Sequence, residues 1–140
     1  MAILAQATAA ELTTGLAQLG TLPEHADLRA AETGLVMVRG RIGGDGAPFN
    51  LGEATVTRAA VQLAGGEIGY SYALGRDAQK ARLAALCDAL WQSDQHRPAL
   101  EQHVLAPVRG RLDRERSETR ERTAATKVDF FTLVRGENAA

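Results

Sequence analysis

The sequence predicts an α+β fold: a mainly antiparallel sheet of about four to five strands, two main helices, and a charged arm ahead of a C-terminal strand. Three observations carry that expectation. Apolar residues alternate with a period of two over residues 35–42 and 68–74, as half-buried strands require. Clusters of turn-forming glycines separate the extended stretches, so the connections are hairpins and not helical crossovers. Two capped segments with helical spacing supply the layer that covers a sheet.

Helix one begins at Thr8, because Thr8-Ala9-Ala10-Glu11 has capping-box spacing and satisfies two orphan backbone donors reciprocally. Leu12, Leu16 and Leu19 follow at helical spacing, and Gly20 then Pro23 end the helix near Leu19. From Glu32 the period falls to two. Leu35, Met37, Arg39 and Arg41 point to one side, Val36, Val38 and Ile42 to the other. Gly43-Gly44-Asp45-Gly46-Ala47-Pro48 turns the chain into a second extended stretch at residues 49–51. Residues 53–63 open with Thr55, Val56 and Thr57, which favour strand, while their alanine-rich later half fits a helix equally well; the segment is taken as extended. Gly65-Gly66 leads into Ile68, Tyr70, Tyr72 and Leu74, alternating with Gly69, Ser71 and Ala73, a hairpin signal.

Asp77 caps helix two, the longest buried helix, with Leu83, Leu86, Cys87, Leu90 and Trp91 as its apolar stripe and Lys80, Arg82 and Asp88 solvated. Pro98 and Pro107 bracket one or two helical turns at residues 99–105. Residues 109–122 interleave six arginines with Asp113, Glu115, Glu118 and Glu121 around a single aliphatic residue, Leu112, and read as an exposed helix or a mobile arm. Val128-Asp129-Phe130-Phe131-Thr132-Leu133-Val134 then reads as a strand buried on both faces or as a docking segment. The expected organisation is one domain, 1–140, with a charged arm at 109–127 and a strand at 128–135.

Composition narrows the function classes. The 140 residues are 45% hydrophobic and 24% charged, which suits a globular chain and not a disordered one. Sixteen basic against 17 acidic residues gives a net charge of −1, without the basic excess of a general nucleic-acid or anionic-membrane binder. No apolar run approaches the roughly 18 residues of a membrane span, and the N-terminus lacks a secretion signal. One cysteine forms no internal disulfide and no Cys/His zinc site. A cytoplasmic protein without a metal is expected.

Catalytic signatures are missing. The glycine-rich stretch 40–46 lacks both the G-x-G-x-x-G spacing and a following Gly-Lys-Ser/Thr, so it reads as a hairpin turn instead of a phosphate loop. His25, His96 and His103 lie apart, Cys87 falls on an apolar helix stripe, and Ser71 and Ser93 sit in no nucleophile elbow. Arg29, Glu32, Glu53, Arg58, Arg76, Asp77, Asp129 and Arg135 remain: polar residues inside structural segments. Caps and edge-strand ion pairs account for them, as does arginine recognition of a phosphate or of a partner's carboxylate.

Four strings resemble the hallmark segments of the PhnG family, the G subunits of the bacterial carbon-phosphorus lyase system for phosphonate use: Arg29-Ala30-Ala31-Glu32-Thr33-Gly34-Leu35-Val36; Gly52-Glu53-Ala54-Thr55-Val56-Thr57-Arg58-Ala59-Ala60-Val61; Gly69-Tyr70-Ser71-Tyr72 with Gly75-Arg76-Asp77; and Val128-Asp129-Phe130-Phe131-Thr132-Leu133-Val134-Arg135-Gly136. They run in order over nearly the whole chain, and what departs from the pattern is mostly the arm between Leu105 and Lys127. The resemblance implies a subunit of a cytoplasmic core complex with the H, I and J subunits. With the H, I and L proteins it is required to transfer the ribose triphosphate of ATP, supplied as MgATP, to an alkylphosphonate with release of adenine. No cofactor is implied for this chain alone.

It also implies no established catalytic residue, so two roles stay open. One is an accessory subunit ordering the I subunit, with Phe130, Phe131, Glu32 and Asp129 as partner contacts. The other is a participating subunit whose Arg58, Arg76 and Arg135 clamp the triphosphate in a composite site. Phe130 and Phe131 either pack within the chain's own core or anchor the partner, because two helices cover one face of a sheet well and the other incompletely.

Overall fold

The structure, a computed structural model, describes residues 1–126. The chain divides into two compact units, residues 1–110 and 111–140. In the first unit a short helix α1 (Ala2–Gln6) precedes α2 (Ala9–Ala17). The Thr8 hydroxyl accepts from the Glu11 N–H at 3.1 Å, and the Glu11 carboxylate accepts from the Thr8 N–H at 2.8 Å, closing the expected capping box. Gly20, at φ +77°, follows in the left-handed region that L side chains avoid. No cap or apolar period in the sequence marks α1: its N-cap is Met1, which makes no side-chain cap, and its buried residue is Leu4.

Three strands form one antiparallel sheet in the order β1 (His25–Arg41), β2 (Pro48–Leu63), β3 (Ile68–Leu74). The described residues thus hold three strands against the four to five expected. Residues 49–51 and 53–63 are one strand, running through Gly52 opposite Val38, with a register shift between Val38 and Arg39 that absorbs the extra residue Leu51. Two further shifts fall between Asp27 and Glu32, leaving Glu32–Val38 as a regular ladder paired residue by residue with Arg58–Gly52. The strand expected at 128–135 lies outside the described residues.

Helix α3 (Ala78–Gln92) covers one face of β2 and β3. Asp77 Oδ1 accepts from the Lys80 N–H at 2.8 Å as its cap. The helix approaches β3 closely at Gly69, whose missing Cβ would otherwise meet the Ala85 and Ala89 backbone, and it buries the small Ala81, Ala84, Ala85 and Ala89 beside Leu86, Cys87 and Leu90. Trp91, expected on that stripe, is 39% exposed with the Arg97 guanidinium 5.8 Å above its ring, and Leu83 is only half-buried. Arg82 and Asp88, expected to be solvated, are half-buried and engaged, Arg82 with Asp27 at 2.8 Å and Asp88 with the backbone of β3.

Pro98 and Pro107 do not bracket a separate segment. Helix α4 (Arg97–Leu100) takes Pro98 in its first turn, where no N–H is needed, and passes through a π-helical turn (Glu101–Leu105) into α5 (Ala106–Ala125). In the π turn the Ala106 N–H bonds to the Glu101 carbonyl, five residues back. That widening is the physical answer to Pro107, whose ring would strike the His103 carbonyl in an unbroken α-helix. In the second unit the charged arm is helical, as one of its two expected forms, with ion pairs Arg111–Glu115 at 2.8 Å and Arg116–Asp113 at 3.4 Å.

Candidate functional site

Strand alternation sorts β3 onto two faces. Gly69, Ser71 and Ala73 are buried toward α3, and the Ser71 hydroxyl donates to the Ala81 carbonyl at 2.6 Å. Tyr70, Tyr72 and Leu74 point the other way and are 60%, 49% and 74% exposed. Among the described residues no helix covers that face. Its rows follow from the register: Arg29 beside Ala60 and Tyr70, then Glu32 beside Arg58 and Tyr72, then Gly34 beside Val56 and Leu74.

Three of the polar residues singled out in the sequence, Arg29, Glu32 and Arg58, meet there. Glu32 Oε1 accepts from Arg58 at 2.7 Å and from Arg29 at 2.9 Å, a carboxylate held between two guanidinium groups. The Arg58 hydrogen bond first, then that of Arg29, lowers the Glu32 carboxyl below its ordinary range. All three side chains stay about half exposed, so the cluster is an electrostatic feature of a surface. A shallow cleft of about 230 Å³ opens beside it, bounded by Glu32, Gly34, Val56, Arg58 and Tyr72. Arg76 is exposed beyond the end of β3, after Gly75 at φ +93°. Arg135, Asp129, Phe130 and Phe131 lie outside the described residues.

The hairpin that extends past α3 is bare as well. Leu35, Met37, Ile42, Phe49 and Leu51 are 62%, 52%, 67%, 41% and 66% exposed. The sequence reading placed these residues on a hairpin without marking them as functional. Exposure depends on α3 stopping short of them, and no local pattern records that.

Reactive chemistry is lacking among the described residues. Ser93 Oγ lies 3.0 Å from His96 Nδ1, but the two share one turn, where the His96 N–H also bonds the Ser93 carbonyl at 3.2 Å, and no third group orients the ring. Burial, reinforced by Asp88, pushes the Cys87 thiol up to about 12, which keeps it protonated and unreactive. Among the described residues no three His, Cys, Asp or Glu side chains are placed to hold a metal ion. No helix among the described residues is long and apolar enough to cross a membrane.

Fold and face together define an α+β domain with one side of its sheet covered by α3 and the other without a helix among the described residues. The chain belongs to the PhnG family, described as phosphonate metabolism protein PhnG, which it matches over residues 1–136. A curated relative from Rhizobium meliloti (strain 1021), alpha-D-ribose 1-methylphosphonate 5-triphosphate synthase subunit PhnG, is 54% identical over 138 residues, covering 99% of this chain and 88% of the relative.

Proposed function

We propose that this chain is the G subunit of a cytoplasmic carbon-phosphorus lyase core complex and serves phosphonate catabolism as an accessory subunit that orders the I subunit, alongside H and J. With the H, I and L proteins it supports transfer of the ribose triphosphate of MgATP to an alkylphosphonate, releasing adenine, and it supplies neither a cofactor nor a complete active site of its own. The relative's name as a synthase subunit, at 54% identity across nearly the whole chain, supports the reaction and the membership of a complex.

The observation that carries the accessory role is the bare sheet face with its self-satisfied charges. Arg58 and Arg29 already hold Glu32, while Tyr70, Tyr72 and Leu74 beside them face solvent. Such a surface suits a protein partner better than a triphosphate, whose capture needs guanidinium groups free of a competing carboxylate. Glu32, with Asp129, Phe130 and Phe131, is assigned to that contact.

The direct experiment is copurification of the tagged chain coexpressed with its own I, H and J subunits; elution of the chain alone overturns the reading. Arg58→Ala, Arg76→Ala and Arg135→Ala separate the two roles. Adenine release unchanged in an intact complex removes the triphosphate clamp. Loss of adenine release from a fully assembled complex would replace the accessory role with a catalytic one.

A further inference from the structure

The two edges of the sheet are treated differently. At the outer edge of β3, the Asp88 carboxylate accepts from the Tyr70 N–H at 3.0 Å and the Gln92 amide donates to the Ile68 carbonyl at 2.6 Å, so α3 closes that edge as well as one face. Side chains that occupy the backbone of an edge strand are a standard protection against unwanted pairing. The outer edge of β1 has no such cover among the described residues: β2 is its one strand neighbour, and no side chain bonds its backbone over 32–38. Yet β1 is the longest strand, and Glu32–Val38 is its regular stretch, seven residues against the ~5–6 of a typical strand.

The side chains around that edge are apolar on both faces. Leu35 and Met37 project from one, Val36 and Val38 from the other, and Leu51, Tyr72 and Leu74 extend the surface across the sheet. Leu35 and Met37, 62% and 52% exposed, stand on the face that carries Thr33 and Thr55, whereas Tyr72 and Leu74, 49% and 74% exposed, stand with Glu32 and Gly34 on the opposite face, so apolar surface is open on both sides of the sheet. At the end of the stretch stands Arg39, exposed and without an ion-pair partner among the described residues.

Resting on the functional reading above, we infer that residues 32–38 of β1 accept an added strand from the I subunit: an extended segment, apolar on both faces, with a carboxylate placed to meet Arg39. Backbone hydrogen bonds along the open edge supply the register, and the apolar groups on the two faces supply the affinity.

The experiment compares amide hydrogen exchange of the full chain alone and mixed with its I subunit, and measures binding of that subunit to the chain carrying Leu35→Lys and Met37→Lys. Both substituted side chains are more than half exposed, so the melting temperature is expected to stay within a few degrees of the unmodified chain. The expected result is slowed exchange over 32–38 in the mixture only, and binding weakened about tenfold or more by the two lysines. Unchanged exchange in a mixture that does bind, or unweakened binding by the lysine variant, overturns the edge assignment and leaves the accessory role standing. Protection already present in the chain alone and lost on deleting residues 127–140 makes the chain's own C-terminal segment the occupant. Protection that grows with the chain's own concentration makes it a second copy. Either result overturns the proposal. Absence of any binding by the unmodified chain removes the accessory role itself, and this inference with it.

Discussion

Replacing Gly69 by alanine tests how closely α3 lies on the sheet. A Cβ built on Gly69 falls onto the Ala85 carbonyl oxygen and the Ala89 backbone nitrogen, atoms that cannot rotate aside. The helix must therefore retreat from β3, and the contacts flanking Gly69 go with it: the Tyr70 N–H to Asp88 bond and the Ser71 to Ala81 bond. Overpacking of this kind costs ~1–3 kcal/mol. Weakening two hydrogen bonds adds ~1–2 kcal/mol, and alanine's lower unfolded-state entropy returns up to ~1 kcal/mol. The net is about 2–4 kcal/mol, or roughly 10 °C in melting temperature for a domain of this size. Urea unfolding followed by far-UV circular dichroism measures it, with Tyr70→Ala as the solvent-facing control expected to lose under ~1 kcal/mol. A Gly69→Ala loss below ~1 kcal/mol with an unchanged urea slope would refute the close-approach argument.

Glu32 should titrate in NMR with a midpoint below that of an ordinary glutamate, and Arg58→Ala should raise that midpoint more than Arg29→Ala, because the Arg58 hydrogen bond is its largest cause. Since the folded pKa is the lower one, the small stabilisation from this cluster is complete above the unfolded glutamate value of 4.5 and disappears as pH falls through the folded value. Cys87 should resist a water-soluble maleimide at pH 8 in the native chain and react fully in urea; rapid native labelling contradicts its burial. Thr8→Ala should cost ~1 kcal/mol by removing the capping box, and an equal loss on Thr8→Gly would count against it, since glycine is tolerated at that position.

What the sequence disclosed was what local chemistry decides. Thr8 and Asp77 announced their helices through hydroxyl and carboxylate caps, and the glycine clusters announced both hairpins. Gly52 looked like a break because glycine weakens strands, but tertiary pairing with Val38 carries the strand through it. Pro98 and Pro107 looked like borders for the same kind of reason, whereas a first-turn position and a π turn accommodate them. Arg29, Glu32 and Arg58 were each conspicuous, but their meeting was not legible. Glu32 and Arg58 stand 26 positions apart, and the extra residue Leu51 of β2, taken up at the shift between Val38 and Arg39, sets the register that brings them opposite. The bare face of β3 was legible as a set of alternating residues and illegible as a surface, because which set α3 would cover is a property of packing.

The alanines of α3 also decide how this chain tolerates change. Ala81, Ala84, Ala85 and Ala89 are already as small as a side chain can be while keeping helix propensity, so a conventional alanine scan passes over them silently. The vulnerability lies in the opposite direction. Each of the four is fully buried, so an added methyl has nowhere to go and a valine scan would draw a deep furrow through the buried part of this helix. Substitutions tolerated there are expected to be limited to glycine, alanine and serine, a constraint set by packing alone.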